Sequence, residues 1–410
     1  MKKVKYILTV ATSAALLTTA CEKVVRPGVP DSAITFGMPS VAVSASTRSG
    51  LIEGELPDGS EFGVMGYCLG NTVGTTGLDR LDYHSGSQRW SDKESACPPS
   101  VFFNQKVTVE AEGCSYSYSG WKTAAEGYRS WYADGSDLDG SPNDRVSGAD
   151  SYRYTFFAYY PYDGNISDGI GFDLLSPTEQ SGFGAPEYRF TMPYSGAVQA
   201  ISSSQSTVPD AMLAVLYDRT SREGNIQFRF SHLLTALGVE INNFSDFPLT
   251  VHKVTLSGDF YRSIEVSLAN RNVSFTTPAG DTYNAEYVYF DDGGDDTESL
   301  TLNAVEGDFS SNSMTVGDYI LLISGDGGSD GYSYFGPNPE NLKMNITYTF
   351  DDKVRHTASF TRPASFTPRP GTRYTAQLNF VGDEFVLLFA VDNNEEWELG
   401  NGDDGTVVFE

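Results

Sequence analysis

From Glu61 almost to Val391 the chain repeats one local pattern. Runs of about five to nine residues alternate β-branched or aromatic side chains with polar ones, and most runs stop at or near Gly, Pro, Asn or Asp. "EFGVMGYC", "YRYTFFAYYPY", "NIQFRFSH", "GVEINNF", "TVHKVTLSG", "KMNITYTFDD" and "EFVLLFAV" are examples. A period of two puts alternate side chains on opposite faces, which predicts half-buried antiparallel strands. The 24 Tyr and 25 Phe suit such strands, and 41 Gly with 19 Pro supply the turns between them. Helix signals are scarce; "HLLTAL" (His232–Leu237) allows one short turn of helix. The fold class expected is all-β, with two tandem antiparallel β-sandwiches of transthyretin-like or Greek-key type. A chain of 410 residues has room for two such cores. The Ser-rich stretch 195–210 places their boundary, giving units 33–200 and 201–410.

The front of the chain reads differently. Met1–Lys5 is basic, Tyr6–Leu17 is apolar and too short for a bilayer-crossing helix, and Thr18, Thr19 and Ala20 lead to Cys21. Residues 1–20 are therefore expected to be a signal peptide. The junction resembles a bacterial lipobox, with Thr18 where Leu is usual, which makes Cys21 the lipidated mature N-terminus and 21–32 a Pro-rich tether. At roughly 0.8 kcal/mol per buried methylene, two or three acyl chains anchor a protein stably. Cys68, Cys97 and Cys114 allow one disulfide at most and match no zinc spacing. They read as small buried hydrophobes.

With 27 basic against 54 acidic side chains the formal charge is −27. Such a surface repels phosphate backbones, so no nucleic-acid partner is expected. Chemistry is hard to find. "GGSDG" (Gly327–Gly331) fits G-x-S-x-G, but "YSYFGPNP" after it cannot supply the helix that would present Ser329. The acidic loops fail the EF-hand pattern; looser calcium binding at Asp291, Asp292, Asp295 and Asp296 competes with a plain solvated loop. His84, His232, His252 and His356 lack metal-ligand spacing, and no cofactor is implied. Trp90, Trp121, Trp131 and Trp397 are either a glycan-stacking platform or core residues. Without an acid, base or nucleophile constellation, no enzyme is expected.

Four segments together resemble the fimbrillin family of Bacteroides-type anaerobes, the subunits of type V pili. "YTFFAYYPY" (Tyr154–Tyr162) is similar to a family strand ending in A-Y-x-P. "VPDAMLAV" (Val208–Val215) resembles the Q-x-D-L-M-x-A segment, with Val208 and Pro209 departing from it. "IQFRFSHLLTALGVEINN" (Ile226–Asn243) resembles an F-x-H-x-L element and the strand after it. "FTPRPGTRYTAQLNF" (Phe366–Phe380) resembles the G-x-x-Y-T strand near the C-terminal end.

The resemblance implies a lipoprotein precursor carried to the outer membrane and cut by an arginine- or lysine-specific protease after its first strand. A strand from a neighbouring subunit then fills the gap. Here "AITFGMPSVAVSAS" places Ile34, Phe36 and Met38 on one face, with Val41 and Val43 resuming after Pro39: one strand with a proline break. Arg48 follows it, before Ser49-Gly50, and is the expected processing site; Arg26 precedes Pro27, a poor bond for such proteases. Five apolar side chains at roughly 1.5–3 kcal/mol each give a gross 7–15 kcal/mol in the vacated groove, less the ordering cost of the incoming strand. The implied partners are other pilin subunits in a head-to-tail polymer, the outer membrane, an arginine-specific maturation protease, and a host glycan or protein ligand. The competing reading is a monomeric surface lipoprotein that binds glycans.

Overall fold

The computed structural model describes residues 33–391 apart from 42–51, 132–152 and shorter loop stretches. Cys21, Arg48 and Val43 lie outside the described residues, as do Ser329, Trp121, Trp397 and His84. The described chain is almost entirely β; its single α-helix is Trp90–Lys93.

The first sheet has seven strands. Their order is Ser40–Val41, Arg229–His232, Met212–Arg219, Tyr154–Tyr160, Glu61–Cys68, Phe102–Glu110 and Gly113–Ser115. All neighbours are antiparallel except the first pair, which is parallel. The period-two pattern holds, but the central strands are not half-buried. Val64, Phe156, Ala158, Met212 and Ala214 face a smaller core. Their sequence neighbours Met65, Phe157, Tyr159, Leu213 and Val215 face a larger one. Both faces are covered because the rest of the chain packs on one side and the N-terminal segment seals the other. Runs such as "TFFAY" therefore carry apolar residues at consecutive positions.

Three further sheets surround the larger core. One joins Gln199–Ser202, Thr282–Asp291, Leu249–Tyr261, Lys343–Thr349 and His356–Thr361, with Leu300–Leu302 alongside. Another joins Asn312–Leu322, Thr235–Asn243, Arg373–Val381 and Glu384–Val391. The last joins Ser274–Thr276, Ser263–Ser267, Glu187–Thr191 and Gly171–Ser176. Thr235–Asn243 runs parallel to Arg373–Val381, and Gln199–Ser202 parallel to Thr282–Asp291; with the pair Ser40–Val41 and Arg229–His232 these are the parallel strand pairs among the described residues.

Strand pairing crosses residue 200 in both directions. Met212–Arg219 pairs back with Tyr154–Tyr160, and Ser263–Ser267 pairs with Glu187–Thr191. The turn of helix that "HLLTAL" allows does not form. Leu233 and Leu234, both fully buried, link two strands, and Thr235 already begins the second. Two adjacent leucines satisfy burial in an extended link as well as in a helix, so the short apolar run was ambiguous.

Candidate functional site: the segment that closes the smaller core

Ala33–Val41 has little regular structure, yet several of its side chains are deeply buried. Only Ser40–Val41 forms a strand; Ala33 and Phe36 make isolated bridges. Pro39 has no N–H to give, so the segment cannot form a continuous ladder.

The segment is nevertheless bonded along both flanks. On one side it runs parallel to Ile226–Phe230. Ile226 N–H donates to Thr35 O (2.7 Å), Gly37 N–H to Ile226 O (2.9 Å) and Ser40 N–H to Phe228 O (3.0 Å). On the other side Ile34 N–H donates to Arg129 O (2.8 Å) and Cys114 N–H to Phe36 O (3.1 Å). Further along, Val41 N–H donates to Gly54 O (2.8 Å). Arg229–His232 and Gly113–Ser115 lie near opposite ends of the seven-stranded sheet, so the segment joins its two ends. It acts as the last stave of a barrel-like enclosure around the smaller core.

Phe36 fills the middle. Its ring lies 5.5 Å from Tyr116, 5.8 Å from Phe102 and Phe228, and 6.4 Å from Phe62 and Phe156, centroid to centroid. Edge-to-face arrangements dominate, which adds to plain area burial. Ile34, Phe36 and Val41 are 0%, 3% and 1% exposed, whereas Met38 is half-buried. The four thus do not share one face equally. Three full burials supply roughly 5–9 kcal/mol gross, at the low end of the range expected from five.

Two polar groups mark the lip. Tyr116 O–H donates to Ile34 O (2.6 Å), and burial pushes its pKa up, so it stays a donor. The Cys114 thiol lies 3.2 Å from Gly37 O, beneath the segment. Cys68, Cys97 and Cys114 are all buried thiols, in accord with their reading as small hydrophobes. At the downstream foot of 42–51, buried Asp210 accepts the Ile52 N–H (3.1 Å) and pairs with His232 Nδ1 (2.7 Å). Burial, aided by Arg373, holds the His232 pKa well below its usual value.

Periodicity marked Ile34, Phe36 and Val41 but not their partners. Tyr116 and Cys114 lie 82 and 77 positions away from Ile34 and Gly37, and nothing local announces such contacts. Elsewhere, Trp90 and Trp131 are core residues, 0% and 8% exposed. The Asp292 carboxylate faces inward to His252 Nδ1 (2.7 Å) and the Gly294 N–H (2.9 Å). No group of three or more metal-ligating side chains occurs among the described residues.

The chain belongs to the fimbrillin-like family, whose profile matches residues 148–391. It is 21% identical over 350 residues to fimbrium subunit Fim1C of Phocaeicola vulgatus, covering 78% of this chain and 82% of that one. Among solved structures it is similar to a fimbrial protein from Bacteroides vulgatus (17% identity, TM-score 0.44, 82% of this chain and 93% of that one). It is also similar to the tip fimbrial protein Mfa3 from Porphyromonas gingivalis (9% identity, TM-score 0.26, 82% and 94%).

Proposed function

We propose that this protein is a non-enzymatic subunit of a fimbrium, exported as a lipoprotein through Cys21 and serving adhesion at the cell surface. An arginine-specific protease cuts after Arg48. Ala33–Val41 then leaves with the lipid, and a strand from another subunit takes its place by β-augmentation. Family membership supports the fimbrial role. The observation that carries the exchange step is the segment itself: a discrete stave, bonded on both flanks, whose removal would uncover two rows of backbone groups and an aromatic hollow. Its feet are already tied, since Val41 N–H meets Gly54 O and Ile52 N–H meets Asp210. A cut between them would leave the segment held by non-covalent contacts alone. The glycan-binding reading gains nothing from Trp90 and Trp131, which are interior.

The test compares the intact chain with Arg48→Ala. Digestion with an arginine-specific protease, followed by unboiled gel electrophoresis, is expected to give a heat-sensitive ladder from the native chain and a monomer from Arg48→Ala. A monomer from both, or equal ladders from both, overturns the reading.

A further inference from the structure

On the exchange reading just given, the geometry points to how the groove chooses its occupant. It selects an extended segment with an aromatic side chain in the place of Phe36, an aliphatic one two residues before it and another five residues after it, entering parallel to Ile226–Phe230.

The backbone bonds on both flanks are indifferent to sequence: any residue but proline offers the same N–H and C=O. Discrimination must come from side chains, and the segment's positions are unequal. A methyl at Gly37 would meet only ordinary contacts, the nearest being Asn225 Cβ at 3.8 Å, so that position does not discriminate between small residues. Met38 is half-buried, and Thr35 and Ser40 are intermediate. Ala33 and Pro39 are buried as well, but Ile34, Phe36 and Val41 are the segment's side chains that pack within the smaller core.

Of these, Phe36 has the most demanding surroundings. Rings on five different stretches of chain, Phe62, Phe102, Tyr116, Phe156 and Phe228, enclose it on several sides. An aliphatic side chain underfills that hollow, and a polar one is stranded there. The hollow also sets register. A slip of one residue turns the aromatic outward, and a slip of two brings it to the place of Ile34 or Met38. An occupant is therefore recognised by one ring and positioned by two aliphatic neighbours.

Cys114 reports occupancy, because its thiol lies under Gly37. The full chain is cut with the arginine-specific protease, and maleimide labelling of Cys114 is followed by peptide mapping. Cys97, in the larger core, is the control. Synthetic peptides of sequence AITFGMPSV (residues 33–41) are then added, unmodified or carrying Phe36→Ala or Met38→Ala. The unmodified peptide is expected to restore protection of Cys114. The Phe36→Ala peptide should need about 100-fold more for the same effect, and Met38→Ala less than about tenfold more. Equal protection by all three overturns the aromatic rule while leaving strand exchange standing.

If cutting never exposes Cys114, the exchange reading fails instead, and the rule is judged in the uncut chain. There Phe36→Ala must raise the Cys114 labelling rate at least tenfold more than Met38→Ala does. Equal rates in the two variants overturn it.

Discussion

Phe36 touches five aromatic rings and fills the middle of the smaller core. Truncating a residue so placed removes its own burial and leaves a cavity that rigid rings cannot collapse into. Phe36→Ala in the intact chain is expected to cost about 3–5 kcal/mol, against less than about 2 kcal/mol for half-buried Met38→Ala, read as shifts in urea midpoint. Asp292 offers a different kind of test. Burial alone would raise its pKa, but the Gly294 N–H, the His252 ring and Arg355 together hold it below the ordinary 3.8. A depressed carboxyl stabilises the fold fully above its unfolded-state pKa and loses that contribution as pH falls through the folded value. Followed from about pH 5 downward, the gap in melting temperature between the native chain and Asp292→Asn should therefore narrow and close as pH falls well below about 4. A gap that widens over that acid range would refute the assignment.

At the scale of elements, the long strand Asn312–Leu322 carries a bulge opposite Gly238, where its register with Thr235–Asn243 shifts. Gly317 sits in that bulge at φ +66°, and a methyl there would lie 2.6 Å from both Tyr289 O and Ser203 Oγ. Gly317→Ala is expected to cost at least about 1–3 kcal/mol in thermal melts, since strain and contact with fixed backbone add together. A neutral result would mean that the bulge relaxes. Strand positions were largely legible from period two, because a pleated chain must sort its side chains by face. Pairing was not. Nothing local in "YTFFAYYPY" says that both its faces are covered, or that Met212–Arg219 will lie beside it. The Ser-rich stretch 195–210 has a loop's composition, yet hydrogen bonding joins strands across it. Period two put Ile34, Phe36 and Met38 on one face, with Val41 and Val43 resuming after Pro39; Met38 is only half-buried, and the stave's second flank at Arg129 and Cys114 was not legible. That flank exists only once the seven-stranded sheet has curled round to meet it.

For the whole molecule, the seven-stranded sheet is the decisive feature, since its central strands wall both cores. Amide hydrogens in Glu61–Cys68, Tyr154–Tyr160 and Met212–Arg219 should exchange most slowly of all, near the global unfolding limit. The outer strand His356–Thr361, with alternate residues exposed, should exchange at least tenfold faster. Exchange in the shared strands as fast as in His356–Thr361 would show that the common wall opens on its own and would refute this. A common wall also sets a clock on the assembly proposed above. A subunit stripped of its filler and not yet joined to a neighbour leans on one core only, and whatever loosens the vacated side loosens the other through the same three strands. On the proposed exchange such a subunit would have a short working life, and docking would have to outpace its collapse. Keeping the filler in place until the surface is reached would then serve survival in transit as well as assembly order.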